Sequence, residues 1–258
     1  MRIFTRTLAA ATAAAALLPA CRVTAATLGA MAAGRAPRWE TIGSSREGRP
    51  VRAVTSGRGG PRVALVAGIH GDEQEGLRHL DEIVGLVQGV PRTVRLIADA
   101  NPDGTAASTR TTAAGVDPNR NWPAGNFRAG PRHGPRPLSE PAVAAVHRDL
   151  VEFDPDLVIV LHAARSGPFV NFDGPARGHA EAFRDGAGSP WRVRPSMGYP
   201  TPGSLGTWAG VDRGIPILTI EFARGAPREE TGPPLLAGLE AVLVGPTAEP
   251  DQGEFYVR

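Results

Sequence analysis

The chain of 258 residues has no lysine, a single cysteine and only 5% aromatic residues. One cysteine excludes a disulfide within the chain. All 28 basic residues are arginine, which, with the heavy use of alanine, glycine and proline, indicates a GC-rich coding sequence rather than a function. The chain also lacks internal repeats and any apolar run long enough to cross a bilayer.

The formal net charge of +2 misleads, because two arginines lie in the first six residues. Arg2 and Arg6 precede an uncharged, alanine-rich run from Leu8 to Leu18, which is the layout of a secretory signal. Removing residues 1–20 takes away two arginines and no acid, so the formal charge falls to zero. The sequence predicts an exported protein and gives no support for a basic surface that binds nucleic acid or membranes.

Cys21 follows the apolar run in Leu18-Pro-Ala-Cys21. This resembles a bacterial lipobox, in which the cysteine is lipidated and becomes the mature N-terminus, although proline in the second position is unusual. Cleavage after Val23-Thr-Ala25 and a buried structural thiol are the alternatives. We expect a signal over residues 1–21, a periplasmic or lipid-anchored location, and membrane contact only through a lipid on Cys21.

The rest of the chain predicts a flexible linker over residues 22–38, one domain over 39–245 and a loose tail over 246–258. Within the domain, short apolar runs typical of buried strands alternate with segments of helical spacing. The expected fold is α/β, with a mostly parallel or mixed central sheet covered by helices on both faces. Strands are predicted at 52–56, 62–67, 93–98, 157–161, 169–172 and 215–220, and helices at 73–86, 139–153 (opened by Ser139), 176–183 and 235–243.

Three polar residues stand just past the carboxyl ends of predicted strands: His70, His162 and Glu221. Ligands of such sheets bind at that edge, so we expect these side chains to converge. His70, Glu73 and His162 offer two nitrogens and one carboxylate, a common hydrolytic zinc arrangement that keeps a fourth position open for water. The motif His-x-x-Glu alone is weak evidence for a metal site, and the residues further along the chain strengthen that evidence. The other histidines are weaker candidates: His79, His133, His147 and His179.

The block Asp117-Pro-Asn-Arg-Asn-Trp122 suggests recognition of a free carboxylate. Arg110 and Arg120 can bind a carboxylate through the planar guanidinium, and Asn119 can add an amide donor. Exposed loop arginines are the alternative interpretation. Glu221 ends a buried apolar strand, where a carboxylate normally has either a bonding partner or a function. Beside a metal it can act as a general base, whereas a salt-bridged structural glutamate is the alternative.

These blocks, with Ala100-Asn-Pro-Asp-Gly104 and Leu218-Thr-Ile-Glu221, resemble the zinc carboxypeptidase family over roughly residues 60–225. The resemblance implies one Zn²⁺ ion and assigns each site residue a role. The metal ligands are His70, Glu73 and His162; Asn119 and Arg120 bind the substrate carboxylate; Arg110 stabilises the oxyanion; Glu221 is the general base; and Tyr199, 22 residues before Glu221, is the mobile tyrosine.

Within the family, the chain most resembles the murein peptide amidases, through Leu138-Ser-Glu-Pro141, Phe172-Asp-Gly-Pro-Ala176 and Met197 to Trp208. Those enzymes cut the γ-D-glutamyl–meso-diaminopimelate bond of cell-wall peptides. The resemblance therefore implies a small cell-wall peptide as substrate and a polar side pocket near Gly206 and Thr207.

Some positions depart from the family, and other functions stay open. Pro118 stands where leucine is usual, and Ala163 stands where digestive relatives carry serine. The nearest alternative is a carboxypeptidase that releases C-terminal residues from ordinary peptides. A deacylase of N-acyl amino acids is a further enzyme alternative. A catalytically silent cell-wall-binding lipoprotein is the alternative from a different class.

Overall fold

The computed structural model describes residues 37–245. The predicted signal, Cys21, nearly all of the predicted linker and the predicted tail lie outside the described residues. An eight-stranded mixed sheet forms the centre, in the order β1-β2-β4-β3-β5-β8-β6-β7. The strands are β1 (Glu40–Ser44), β2 (Pro50–Gly57), β3 (Arg62–Val66), β4 (Thr93–Ile97), β5 (Leu157–Ala164), β6 (Phe169–Asp173), β7 (Val193–Arg194) and β8 (Ile217–Ala223).

The central strands β4, β3, β5 and β8 are parallel to one another, as expected for strands joined by helical crossovers. On either side of them, β2 and β6 pair in the antiparallel sense. The α/β fold with a mixed sheet is therefore confirmed.

Helices cover both faces of the sheet, because the central strands are apolar on both sides. One face packs against α1, α4 and α5, and the other against α3 and the segment around Trp208. No helix within residues 37–245 is long and apolar enough to cross a membrane. The helices are α1 (Leu80–Val87), α2 (Pro102–Ala107), α3 (Pro141–Phe153), α4 (Arg177–Ala187) and α5 (Arg228–Val244), with 3₁₀ turns at Leu77–His79 and Pro118–Arg120 and a π-helical turn at Thr207–Val211.

Two predicted helix starts were wrong because polar side chains serve tertiary contacts. The helix expected from Glu73 begins at Leu80, since Glu73 and Glu75 are buried in contacts with His162 and with the backbone of Gly225. Ser139 does not open α3, which begins at Pro141. Its hydroxyl instead accepts a hydrogen bond from the side chain of Asn121.

The last helix was also mispredicted, because α5 begins at Arg228 and runs through Pro233 and Pro234. Proline has a helical φ but removes a backbone donor. The carbonyls left without that donor belong to Glu229 and Glu230, which are exposed to water. Buried side chains further along, such as Leu235 and Leu239, hold the helix on the sheet.

The polar residues of the predicted site lie at the expected edge of the sheet, but not all of them lie past a strand end. His162 and Glu221 are inside β5 and β8, and the two residues face each other in the parallel register. His70 lies four residues after β3. The register of β5 and β8 therefore positions two site residues side by side.

Candidate active site

The turn that carries His70 and Glu73 rests on the Asn-Pro-Asp-Gly segment at the start of α2. Gly71 packs so closely on the backbone of Gly104 that a Cβ atom on Gly71 would overlap the Gly104 carbonyl. Asn101 caps α2 by accepting a hydrogen bond from the N–H of Gly104 at 3.2 Å. Two sequence blocks 30 residues apart therefore form one unit, and its glycines are required for the close approach.

His70, Glu73 and His162 meet in the protein interior. Nδ1 of His70 lies 2.9 Å from Oε1 of Glu73, and Nδ1 of His162 lies 2.7 Å from Oε2. All three side chains are buried, and one ligand atom from each lies within 4.8 Å of the others. Two imidazole nitrogens and a carboxylate are ligands that zinc prefers. The structure thus brings together the three predicted ligands, and their chemistry fits one zinc ion.

Asp117 orients the first histidine, a contact that the sequence reasoning missed. Its Oδ1 lies 3.1 Å from Nε2 of His70 and accepts a hydrogen bond from the N–H of Asn119. Its Oδ2 accepts from Nε of Arg110 at 3.0 Å. A carboxylate on the outer nitrogen fixes the tautomer of a ligating histidine. The sequence offered one indication that Asp117 has a structural role: an aspartate directly before Pro-Asn-Arg can cap the turn that these residues form.

The charges around His70, Glu73 and His162 compensate one another. Burial alone would raise the pKa of Glu73, but His162 and His70 outweigh it and hold that pKa well below its usual range. Burial likewise opposes ionisation of Asp117, yet the hydrogen bond to His70 and the charge of Arg110 lower its pKa. Both carboxylates are therefore ionised at neutral pH, as a cation site requires.

Glu221 is a different kind of buried carboxylate. It is 6% exposed, and it has no hydrogen-bond or ion-pair partner among residues 37–245. Burial, with a smaller repulsion from Glu73, raises the pKa of Glu221 to about 7, although His162 and Arg110 act in the opposite direction. A carboxylate with a pKa near neutrality can both take and return a proton.

Arg110 links the carboxylates to the open side of the site. Its Nη1 donates to Oε1 of Glu73 at 3.0 Å, and its Nε donates to Asp117. Burial lowers the pKa of Arg110, but the two carboxylates outweigh it and raise that pKa. The side chain is 34% exposed, and Nη2 has no partner within the described part of the chain. The Nη2 group of the guanidinium is therefore available to donate a hydrogen bond to a ligand.

Asn119 and Arg120 lie on the 3₁₀ turn that follows Asp117 and are fastened to a distant segment. Leu205 donates its N–H to Oδ1 of Asn119 at 2.9 Å. Gly203 adopts a φ of +66° directly against the carbonyl of Arg120, where a Cβ atom would overlap. The amide nitrogen of Asn119 faces no partner within residues 37–245. Burial is the main cause that lowers the pKa of Arg120.

Asn121 organises the loop over residues 123–138, a role that the sequence reasoning did not assign. Its fully buried side chain donates to the carbonyls of His133 and Arg136 and accepts from the N–H of Glu140. This loop has no helix or strand apart from a single bridge between Gly130 and Gly134. The side chain of Asn121 is therefore one of the contacts that hold this loop in place of regular structure, together with the bonds of Gly125 to Asp212 and of Asn126 to Gly203.

Tyr199 is 55% exposed and makes no side-chain hydrogen bond to residues 37–245. It is nevertheless close enough to Arg120 to affect the pKa of that residue. The structure thus brings together all the predicted site residues except this tyrosine, which stands at the rim. Trp122 and Trp208 pack on each other at a ring separation of 5.3 Å.

Buried histidine and carboxylate ligands beside a second buried glutamate form the arrangement of metal-dependent hydrolases. The family model described as zinc carboxypeptidase matches residues 30–176. This match includes His70, Glu73, Arg110, Asn119, Arg120 and His162, and it ends before Tyr199 and Glu221.

Individual proteins agree with the family match. Murein peptide amidase A from Escherichia coli K12 is 28% identical over 179 residues, which cover 61% of this chain and 69% of that protein. The crystal structure of murein-tripeptide amidase MpaA from E. coli O157 superposes with a TM-score of 0.66 at 24% identity, covering 83% of this chain and 95% of that one. Carboxypeptidase A from Helicoverpa armigera gives a TM-score of 0.64 at 16% identity, covering 80% and 68%.

The chain belongs to the zinc carboxypeptidase family. It is therefore a hydrolytic enzyme that uses zinc, and His70, Glu73 and His162 form a group whose ligand atoms lie close enough together to hold one metal ion. The similarity to solved structures at 24% identity and below establishes the fold.

Proposed function

We propose that this enzyme cleaves the γ-D-glutamyl–meso-diaminopimelate bond of cell-wall peptides. The observation that carries the reaction class is the position of Glu221, a buried carboxylate without a partner in the described residues, beside His162 in the strand register. A base next to a metal ligand suits attack of water on an amide. The specific bond is supported by the similarity to murein peptide amidase A.

In this proposal, Glu221 takes a proton from the attacking water and then passes it to the leaving amine. When bound, zinc supplies Lewis-acid activation of the water and of the scissile carbonyl. The free edge of Arg110 faces the developing negative charge on the carbonyl oxygen. Loss of one such donor typically costs about 10²- to 10³-fold in turnover.

Asn119 and Arg120 hold the free carboxylate of the leaving residue. Their turn is fixed by Asp117 on one side and by Gly203 and Leu205 on the other, so the two donors keep their spacing. A planar guanidinium with an adjacent amide donor suits a carboxylate. Tyr199 closes over the bound substrate from its exposed position at the rim.

A substrate panel tests the proposal. Zinc-loaded protein lacking residues 1–21 is offered L-Ala-γ-D-Glu-meso-diaminopimelate beside ordinary peptides with varied C-terminal residues. Released amines are identified by mass spectrometry. We expect selective release of diaminopimelate. Release of ordinary C-terminal residues alone would overturn the specific bond and make the enzyme a general carboxypeptidase.

A matched substrate separates carboxylate recognition from the rest of the site. The same tripeptide with the α-carboxylate of diaminopimelate converted to an amide keeps the scissile bond but removes the group assigned to Asn119 and Arg120. We expect kcat/KM to fall by at least about 10-fold, as for the loss of a charged hydrogen bond. Equal cleavage of the acid and the amide would contradict the assignment.

We also propose that the enzyme is exported, because Arg2, Arg6 and the apolar run to Leu18 form a signal-like segment. Full-length protein expressed in a bacterium should appear in the envelope fraction. Cys21→Ala distinguishes the two forms of export. Loss of membrane association with retained export supports a lipid anchor, whereas soluble periplasmic wild type excludes the anchor, and wild type in the cytoplasm excludes export.

A further inference from the structure

Arg224 is an arginine close to the predicted metal ligands, and the mechanism gives it no role. It directly follows β8, three residues after Glu221, and its backbone N–H donates to the carbonyl of Ala164, the last residue of β5, at 3.0 Å. Arg224 therefore stands past the carboxyl ends of the two strands that carry His162 and Glu221. Ligands of such a sheet bind at this edge.

The guanidinium of Arg224 reaches back to the turn that carries Glu73. Its Nη2 donates to the carbonyl of Asp72 at 3.0 Å and also pairs with the Asp72 carboxylate. Its Nη1 lies 3.8 Å from Oε1 of Glu73, which is beyond hydrogen-bond distance, and neither Nη1 nor Nε has a hydrogen-bond partner within residues 37–245. The side chain is 32% exposed. Arg224 therefore offers free donors to a ligand directly beside a predicted metal ligand.

Arg110 and Arg224 approach the same oxygen of Glu73, but their other contacts differ. Arg110 bonds to Asp117, whose turn carries the proposed site for the α-carboxylate of the leaving residue. Arg224 instead bonds to Asp72 and does not contact the turn of Asp117. Since the leaving residue extends from the attacked carbonyl towards that turn, the acyl part of the substrate leaves the carbonyl on another side. Arg224 supplies a cation for that part.

A γ-glutamyl substrate has a second carboxylate in its acyl part. The attacked carbonyl belongs to the side chain of D-glutamate, so the α-carboxylate stays free, a few bonds away. An ordinary peptide has no charge at this position of its backbone. Burying this carboxylate near the carboxylates of Glu73 and Glu221 is unfavourable unless a cation binds it.

We propose that Arg224 binds the α-carboxylate of the γ-D-glutamyl residue and thereby selects γ-linked substrates. The inference rests on the proposed function, since it takes the γ-D-glutamyl–diaminopimelate bond to be the bond attacked. A guanidinium has several N–H donors, so the pair with Asp72 holds the side chain in place while Nη1 donates to the substrate. The contact is a charge-assisted hydrogen bond.

Two substrates that differ only at this carboxylate test the proposal. L-Ala-γ-D-Glu-meso-diaminopimelate is compared with the same tripeptide containing D-isoglutamine, which has an amide in place of the α-carboxylate. We expect wild type to prefer the acid by about 10- to 100-fold in kcat/KM, the range for a hydrogen bond to a charged group. Arg224→Met should bring this ratio towards one. Arg224→Lys keeps the charge without the planar guanidinium and should retain part of the preference.

Two further arginines serve as comparisons. Arg184→Met, at an exposed position on α4, should retain the wild-type ratio. Arg194 lies closer to the chemistry, because its charge opposes the dominant effect of burial on the pKa of Glu221. Its guanidinium packs over Phe169 and donates to the hydroxyl of Ser166 at 3.3 Å, so Arg194→Met should also retain the ratio. Loss of the preference in Arg194→Met, with the preference kept in folded, zinc-loaded Arg224→Met, would overturn the proposal.

A purely structural role for Arg224 gives a different result. Arg224→Met would then slow both tripeptides alike and leave the ratio unchanged, which also overturns the proposal. If this variant does not fold, Arg224→Gln replaces it, since glutamine keeps a donor for the carbonyl of Asp72. A wild-type ratio near one overturns the proposal without any variant.

The proposed scissile bond fails by a separate result, the release of diaminopimelate from neither tripeptide. The same comparison is then made with ordinary peptides that have aspartate or asparagine as the penultimate residue. A preference for aspartate that Arg224→Met removes would support binding of an acyl-side carboxylate by Arg224, and equal cleavage of the two peptides would overturn it.

Discussion

Glu73 and Glu221 are both buried close to His162, yet their surroundings have opposite effects. Glu73 contacts two histidines, Arg110 and the N–H of Ala163, and its pKa is lowered. Glu221 has no such contact within the described residues, and its pKa is raised to about 7. The first carboxylate is held ionised and oriented, as a metal ligand must be. The second is left free to exchange a proton.

This contrast arises from the backbone that carries each residue. Glu73 lies on a turn, packed by Gly71 against Gly104, so its side chain points into a cluster of polar groups. Glu221 lies within a strand, between the apolar residues Ile220 and Phe222. Burial without compensating contacts raises the pKa of an acid, and paired contacts lower it. The same residue type therefore serves two functions because the local structure differs.

The largest effect is expected for Glu221→Gln, which removes the base and preserves its shape. Turnover should fall by about 10²- to 10⁴-fold, while zinc content and the thermal unfolding midpoint stay near wild type. Glu240→Gln on the exposed face of α5 is the control and should retain activity. Normal turnover by Glu221→Gln would remove the distinction between the two carboxylates.

A smaller effect is expected for Asp117→Asn, which weakens the orientation of His70. Outer partners of ligating histidines typically contribute 10- to 100-fold to metal affinity or activity, so zinc affinity measured by chelator competition should fall within about that range. Asp81→Asn, at an exposed position on α1, should have no effect. Unchanged zinc affinity would show that the contact between Asp117 and His70 does not contribute to metal binding.

The smallest effect concerns Asp99, a carboxylate that lies behind the turn carrying His70 and takes no part in the proposed chemistry. Burial is the largest influence on Asp99 and raises its pKa from 3.8 to about 6. The hydrogen bonds that Asn101 and Thr105 donate to Asp99 act in the opposite direction. Because the folded pKa exceeds the unfolded one, the protonated form is favoured by folding. This contribution is fully present below about pH 3.8 and is lost as the pH rises through about 6, and it amounts to at most about 3 kcal/mol.

Denaturant unfolding of wild type and Asp99→Asn at several pH values between 4 and 8 measures this contribution. The free energy of unfolding of the variant, relative to wild type, should rise with pH across that window. Other titrating groups cancel in the difference. A difference that does not vary with pH would show that burial alone does not shift carboxylates in this fold, and would weaken the explanation given for Glu221.

Much of the site could be predicted from the sequence, because short-range spacing and strand ends determine it. His70 and Glu73 share one turn, and the apolar runs before His162 and Glu221 predict neighbouring strands. The contacts of Asp117 and Asn121 could not be predicted, since they depend on how distant loops fold against each other. The helix boundaries at Leu80 and Arg228 were missed for the same reason, as tertiary contacts override local propensity.

The most direct test of the account is a side-by-side measurement of zinc content and turnover in Glu73→Gln and Glu221→Gln, with L-Ala-γ-D-Glu-meso-diaminopimelate as substrate. We expect Glu73→Gln to lose stoichiometric zinc, whereas Glu221→Gln should keep one zinc per chain and lose turnover. A Glu73→Gln protein that retains zinc, or a zinc-loaded Glu221→Gln protein that still cleaves the substrate at the wild-type rate, would contradict it.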